Sequence, residues 1–377
     1  MNRDEGFNRK RLLTSAWVLL WALSFSSLTH AGSYLQKNLV SDIPGLAAFT
    51  DPNLVNSWGV GFSPTGPFWV ADNGTGFSTV YYANGRPFPK PPSPLVVTIP
   101  PPTGGTPAAA PTGLTFNGTS DFVISENVSS APSLFLFDTE DGTISGWSFK
   151  VDAANAILKV DNSAPGGVDG SEFGAVYKGL AIGNDGSGNF IYAANFRDGV
   201  IEMYDGKFNF VKSFTDPSIT PDAPNPGFAP FGIRNINGQL FVTFAIQDAD
   251  RHDDVSGPGV GFVDIFNLDG TFVAQFASGG TLNSPWGLAL APANFGKFSN
   301  ALLVGNFGDG RINAFDPNSH AFLGQLQNNQ GKPITIEGLW TITFGNGGLA
   351  GRTNTLFFAA GIDDESHGLF GRITAVP

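Results

Sequence analysis

The chain has no cysteine among its 377 residues. That excludes disulfides, thiolate nucleophiles, zinc–thiolate sites and lipidation at a cysteine, so packing and strand pairing must hold the fold. Histidine is almost as scarce, with 4 in the whole chain, and charged residues make up 14%. Cations are the scarcer sign: 20 Lys and Arg stand against 32 Asp and Glu, a net charge of −12. An acidic surface of this kind argues against nucleic acid and anionic membranes as partners. It also suits weak cation binding. Stretches with the 3.6-residue period of a long helix are missing. So are a G-x-S-x-G elbow, a P-loop and an H-E-x-x-H zinc helix.

A long hydrophobic run occurs once. Leu12 to Leu28 is free of charge, follows Arg3, Arg9, Lys10 and Arg11, and ends at Thr29-His30-Ala31. Those small residues sit where a signal peptidase cuts. A membrane anchor is the competing reading, but the run is short for a span. The expectation is a signal peptide over residues 1–31 and one mature domain over 32–377, secreted or periplasmic. No second hydrophobic segment precedes Pro377, so no stable membrane anchor is expected; a monomer is expected as well.

What the chain has in quantity is glycine and aromatics: 49 Gly, 35 Phe and 7 Trp. They occur in a repeat. The passage Phe137-Asp138-Thr139-Glu140-Asp141-Gly142-Thr143-Ile144 returns as Ala194-Asn195-Phe196-Arg197-Asp198-Gly199-Val200-Ile201, and again as Gly305-Asn306-Phe307-Gly308-Asp309-Gly310-Arg311-Ile312. Each copy carries a polar residue three before an Asp-Gly turn and then a short alternating strand. A second marker opens each repeat: Trp58-Gly59, Thr112-Gly113, Lys178-Gly179, Phe231-Gly232, Trp286-Gly287 and Trp340-Thr341. These anchors are nearly evenly spaced, with an insertion after the second. Each repeat holds four strand-like runs, such as Gly179–Gly183, Phe190–Ala194, Val200–Asp205 and Phe210–Thr215. Six such repeats mean an all-β, six-bladed β-propeller. A β-sandwich has no reason for six near-equal repeats. The last repeat lacks an outer strand, and Leu35 to Val40 has the pattern of one. The mature N-terminal strand is therefore expected to complete the last blade and close the ring.

Asn38-Leu39-Val40-Ser41-Asp42, Asn56-Ser57-Trp58-Gly59, Glu140-Asp141-Gly142-Thr143-Ile144-Ser145-Gly146-Trp147 and Asp364-Glu365-Ser366-His367-Gly368-Leu369-Phe370-Gly371 are long, specific strings. On them the mature chain resembles an uncharacterised family of exported bacterial β-propeller proteins, some with a C-terminal sorting tail that is missing here. The repeats are also loosely similar to those of NHL-type propellers, which include binding modules and metal-dependent hydrolases or lyases. The resemblance implies a fold and no catalytic residue.

In a propeller the loop leaving the second strand and the loop entering the first open on one face. Aligning the repeats puts Asp72, Asp138, Asn195 and Asn306 in one column at that mouth, a set of oxygen ligands that suits Ca²⁺. Residues of these types also cap turns by bonding their own backbone. The mouth loops of blades four and six pair carboxylates with His252 and His367. Of the two, His367 is the better general acid or base, because it leads directly into a strand, whereas His252 lies in an acidic loop that reads as solvated. The anchors Trp58, Phe231, Trp286 and Trp340, with Lys178 between, suggest an aromatic rim for a sugar or other ring-shaped ligand. Packing between blades also explains these aromatics and is the favoured reading. Two functions stand on these residues. One is a module binding a small molecule, glycan or protein at the channel mouth. The other is a Ca²⁺-dependent hydrolase or lyase using His367.

Overall fold

The computed structural model describes residues 32–376, apart from 107, 168–169, 171–172 and 221–225. The segment read as a signal peptide lies outside the described residues. Six small antiparallel sheets form the blades of a propeller. Blade one runs Ser57–Gly61, Phe68–Asp72, Phe77–Tyr81 and Val96–Thr98 from inner to outer strand. Blade three runs Tyr177–Asn184, Asn189–Asn195, Val200–Asp205 and Phe210–Phe214, close to the strands read from the sequence. Blade two carries the insertion as an extra hairpin, Val123–Glu126 with Ser129–Pro132. The single helical element among the described residues is a 3-10 turn, Gly296–Phe298.

Ring closure follows the expected route. Tyr34–Ser41 pairs antiparallel with His367–Ala375 and supplies the fourth strand of blade six, with the short Phe49–Thr50 parallel to it at the edge. Tyr34 fastens it to blade five. Its hydroxyl donates to the Phe295 carbonyl and accepts from the Phe298 N–H, both at 3.0 Å, and its backbone N–H donates to Gln327.

One small hydrophobic core sits on the axis, and most lie between blades. Leu303, Ile312, Leu339, Ile342, Leu356 and Phe358, from blades five and six, share one such core. Second strands are therefore buried on both faces, as Leu302–Asn306 is along its whole length, while the outer strand Phe322–Gln325 is largely exposed.

The anchors have a structural meaning. In all six blades the pairing register between inner and second strand slips at the anchor, between Ser57 and Val60, Tyr177 and Leu180, Pro230 and Ile233, Pro285 and Gly287, and Leu339 and Ile342, and opposite Phe137 and Thr139 in blade two. Each anchor is a β-bulge, which breaks the alternation and lets a side chain be re-aimed. Glycine follows because the next inner strand passes against it. A Cβ on Gly59 would lie 2.4 Å from the Thr112 carbonyl oxygen, on Gly113 2.3 Å from the Leu180 nitrogen, on Gly232 2.1 Å from the Trp286 oxygen and on Gly287 2.5 Å from the Trp340 oxygen. Blade six has Thr341 there instead, and its hydroxyl donates to the Trp58 carbonyl at 2.7 Å. Five contacts that admit no Cβ or only a crowded one, and one hydrogen bond, thus close the inner ring.

Candidate functional site at the channel mouth

The bulges send anchor side chains to the axis, where both neighbouring and non-neighbouring blades meet. Trp58 of blade one stacks on Trp340 of blade six, with ring centroids 3.4 Å apart, and meets Trp286 of blade five edge-on at 6.4 Å. Phe231 of blade four reaches Trp340 at 5.6 Å, and Phe307 stacks on the same ring at 4.0 Å. Trp58, Phe231 and Trp340 are at most 1% exposed. The four aromatics expected at a rim are a buried plug across the channel, so packing between blades is their first role. The Trp58 indole N–H is buried in this plug without an acceptor among the described residues.

Lys178, the one charged anchor, sits on the plug, with its ammonium 5.1 Å from the centre of the Trp58 ring. Its side chain is 1% exposed and forms ion pairs with Glu140 of blade two and, at 3.1 Å, Asp253 of blade four. The Trp286 indole donates to the Lys178 carbonyl at 2.9 Å and holds the bulge in place. Burial works against the ammonium's charge, but Glu140 and Asp253 more than offset it and keep the pKa above the ordinary lysine value.

A polar chain continues around the mouth. Asn73 donates to Glu140 at 2.8 Å, and Asn56 donates to Glu365 at 2.7 Å while its carbonyl accepts from Trp340. His252 Nδ1 lies 3.0 Å from Asp253, a contact that raises the imidazole pKa against the opposing effect of burial and drives the carboxyl pKa far down. Burial lifts Glu365 to about 7, so this carboxyl titrates near neutrality. Its loop is strained. Asp363, Asp364 and Glu365 are three consecutive non-glycine residues with φ of 56°, 50° and 63°, in the left-handed region that L-residues avoid. The Glu337 carboxylate accepts from the first two N–H groups and steadies the loop. Such strain persists only where surrounding contacts over-determine it, and here it delivers Glu365 to Asn56.

The column expected to bind metal lies elsewhere. Asp72, Asp138, Asn195 and Asn306 end the second strands and are fully buried. No hydrogen bond or ion pair joins any two of them. Asn195 accepts from Val176 and Asp198 N–H groups and donates to Asp198 and Glu202. Asn306 donates to Thr281 and Asp309, and Asp138 accepts from Thr112 and the Gly113 N–H. Three of the four thus tie their own or adjoining blades as turn caps and strand ties, although Asp138 Oδ2 and Asn306 Oδ1 are left without a partner among the described residues. Asp72 is buried with neither oxygen hydrogen-bonded, and burial raises its pKa well above the usual value. Among the described His, Asp and Glu residues, Glu140, His252 and Asp253 bring ligand atoms within 4.8 Å of one another. Lys178 occupies the cationic position beside it.

The two loop histidines exchange places relative to expectation. His252 belongs to the axial cluster. His367 instead faces Asp42 at the outer side of blade six, 2.5 Å from its carboxylate, and none of its ion pairs reaches the channel. Glu140 and Asn73 were missed by the sequence reading, which placed Glu365 only among the carboxylates beside His367. The first two follow the column residue by one or two positions, where the turn swings inward; the periodic signal marks the buried residue, and its neighbour faces the mouth.

Two uncharacterised proteins of Acanthamoeba polyphaga mimivirus are each 33% identical to this chain over 342 residues, spanning 89% of it and 78% and 84% of their own lengths. The chain belongs to their family. No family model matches it. Among solved structures, virginiamycin B lyase from Staphylococcus aureus aligns over 92% of this chain and 100% of its own, with a TM-score of 0.47 and 13% identity. A PQQ-bound aldose sugar dehydrogenase from Streptomyces coelicolor aligns over 92% and 98%, at 0.47 and 12%. Likenesses of that order support no inference about activity.

Proposed function

We propose that this chain is an exported binding module that takes a hydroxyl-rich small molecule or glycan on the six-loop face of its ring. The observation that carries the reading is Lys178: a buried ammonium on the channel axis, paired with carboxylates from two other blades above a closed aromatic floor. Acceptors dominate the mouth, in Glu140, Asp253 and Glu365, and donors are few and fixed, in Lys178, Asn73 and His252. Sugar hydroxyls, which donate and accept at short spacing, match that mixture, whereas an anionic ligand would meet like charge. The test is a glycan array probed with the 32–377 protein, followed by titration of any hit with Asp253→Asn and Glu365→Gln. Binding that both substitutions weaken supports the reading. An array with no glycan above background, or binding indifferent to both, rejects it.

A second reading rests on the group Glu140, His252 and Asp253. A metal held there would polarise a carbonyl or acidify water, and Glu365, with its pKa of about 7, is poised to move a proton beside it. One imidazole and two carboxylates suit Zn²⁺ or Mn²⁺ better than Ca²⁺, which prefers oxygen alone. Thermal unfolding after EDTA treatment, with each ion added back singly, separates the readings. A saturable rise in midpoint that His252→Ala abolishes favours the metal enzyme.

A further inference from the structure

Beneath the plug, at the opposite end of the channel, the inner strands surround a cavity of about 500 Å³, within the size range of small-molecule sites. Residue choice opens it. The third residue after the anchor is small in five blades, Gly61, Thr115, Ala181, Ala289 and Thr343, and is Arg234 in blade four; Gly61, Thr115, Ala181 and Arg234 line the cavity. Trp286 and Thr341 are among the buried residues lining it, Phe62, Phe116 and Ile182 are half-buried where it meets solvent, and Leu114, Leu180, Leu288 and Ile342 make apolar walls. Arg234 is the one charged residue in the lining.

Its guanidinium reaches across two blades. Nη1 donates to the Leu288 and Ile342 carbonyls, each at 3.0 Å, and Nη2 donates to the Thr343 hydroxyl at 2.8 Å. Five N–H groups are available and three are used, which leaves Nε–H and one Nη2–H without acceptors among the described residues. No carboxylate pairs with it there. Burial alone acts on its pKa, lowering it to about 10, so the group stays charged at neutral pH. The contrast with Lys178 is direct: one channel cation has two carboxylates, and the other has none. Arg234 is half-buried in a cavity of mixed polar and apolar lining, and a cation held there without a counter-charge attracts an anion. Nε and Nη2 share the edge of the guanidinium that accepts a carboxylate through two parallel bonds.

We propose that this cavity binds a small amphipathic carboxylate, with its head on the free edge of Arg234 and its apolar body against Leu114, Leu180, Leu288 and Ile342. The site lies on the other side of the aromatic plug from the mouth, so it stands or falls independently of the function proposed above.

Calorimetric titration of the 32–377 protein with sodium benzoate, and with benzyl alcohol as the neutral counterpart, tests it. Saturable benzoate binding is expected, with benzyl alcohol at least about tenfold weaker, because charge-assisted hydrogen bonds contribute that much. Arg234→Gln should weaken benzoate by about tenfold to a hundredfold. Since that substitution also removes ties between blades, Thr115→Trp serves as the second variant. It fills the cavity from its wall, leaves Arg234 intact, and should abolish binding while the thermal midpoint stays near wild type. Absence of saturation by benzoate, equal affinity for benzyl alcohol, or benzoate affinity unchanged in a folded Thr115→Trp protein would overturn the proposal.

Discussion

At one end of the channel Lys178 is surrounded by carboxylates, asparagines and stacked indoles; at the other, Arg234 leans on backbone carbonyls at the edge of a cavity. Both residues lie on inner strands, Lys178 in blade three at the anchor position and Arg234 in blade four three positions after its anchor. The anchor position, turned inward by its bulge, carries a large side chain in every blade but the second, where it is Thr112, and seals the channel. The position three residues later is filled with small ones and leaves it open. A repeated backbone thus sets where side chains converge, and substitutions at two repeat positions make one end a closed polar mouth and the other a pocket.

Both ends depend on the inner ring that carries them, so breaking that ring should have the largest effect. Gly232→Ala would place a methyl group 2.1 Å from the Trp286 oxygen, and neither backbone can yield without opening the blade interface. A loss of about 3 kcal/mol in urea unfolding is expected. Gly227→Ala, where a methyl group meets nothing within 4 Å, is the control. Equal costs for the two would show that close approach of inner strands does not hold the ring.

Next in size is Lys178→Met, which keeps the bulk on the plug but leaves Glu140 without its cation. Breaking a buried pair costs several kcal/mol, but Asp253 is 67% exposed and can be rehydrated, so about 2 kcal/mol is expected. Glu140→Gln made in the Lys178→Met background should recover part of it; failure to do so would mean that the pair is not coupled.

The ends should also differ in pH response. Glu365 ionises at about 7, so affinity at the mouth should change between about pH 6 and 8, whereas benzoate affinity at Arg234 should stay level over that range. Stability carries a related signature. Burial holds Asp264 at about 8, with Asp216 adding to the effect, and Asp138 at about 7. The unfolded chain releases these protons near pH 4. The folded state therefore binds more protons between about pH 4 and 8, and stability is fully present at the acid end and lost as pH rises across that window. Asp264→Asn should flatten the decline measured by urea midpoint. A midpoint that rises from pH 5 to 8 would contradict the assignment. The smallest effect belongs to His367→Ala, which touches only Asp42 and the neighbouring loop; no change in glycan or benzoate titration is expected, and lost binding would return His367 to the mouth.

Much of this fold was legible in the sequence for a local reason. Six bulged anchors, their glycines and the Asp-Gly turns each answer to a requirement met within a few residues of chain: a close approach, a tight turn, an alternating strand. The closing strand was legible too, because Tyr34–Ser41 has the outer-strand pattern and the last repeat lacks one. Column residues such as Asn195 and Asn306 were visible as a periodic feature, but periodicity does not distinguish a capped turn from a ligand. What only the tertiary structure decided is which side chains share the axis. Trp58 and Trp340, Lys178 and Asp253, and Arg234 and Ile342 meet across long stretches of chain, at a distance set by the ring's radius. A contact of that kind leaves no spacing in the sequence, because the inward turn of six separate bulges, and no local rule, brings its partners together.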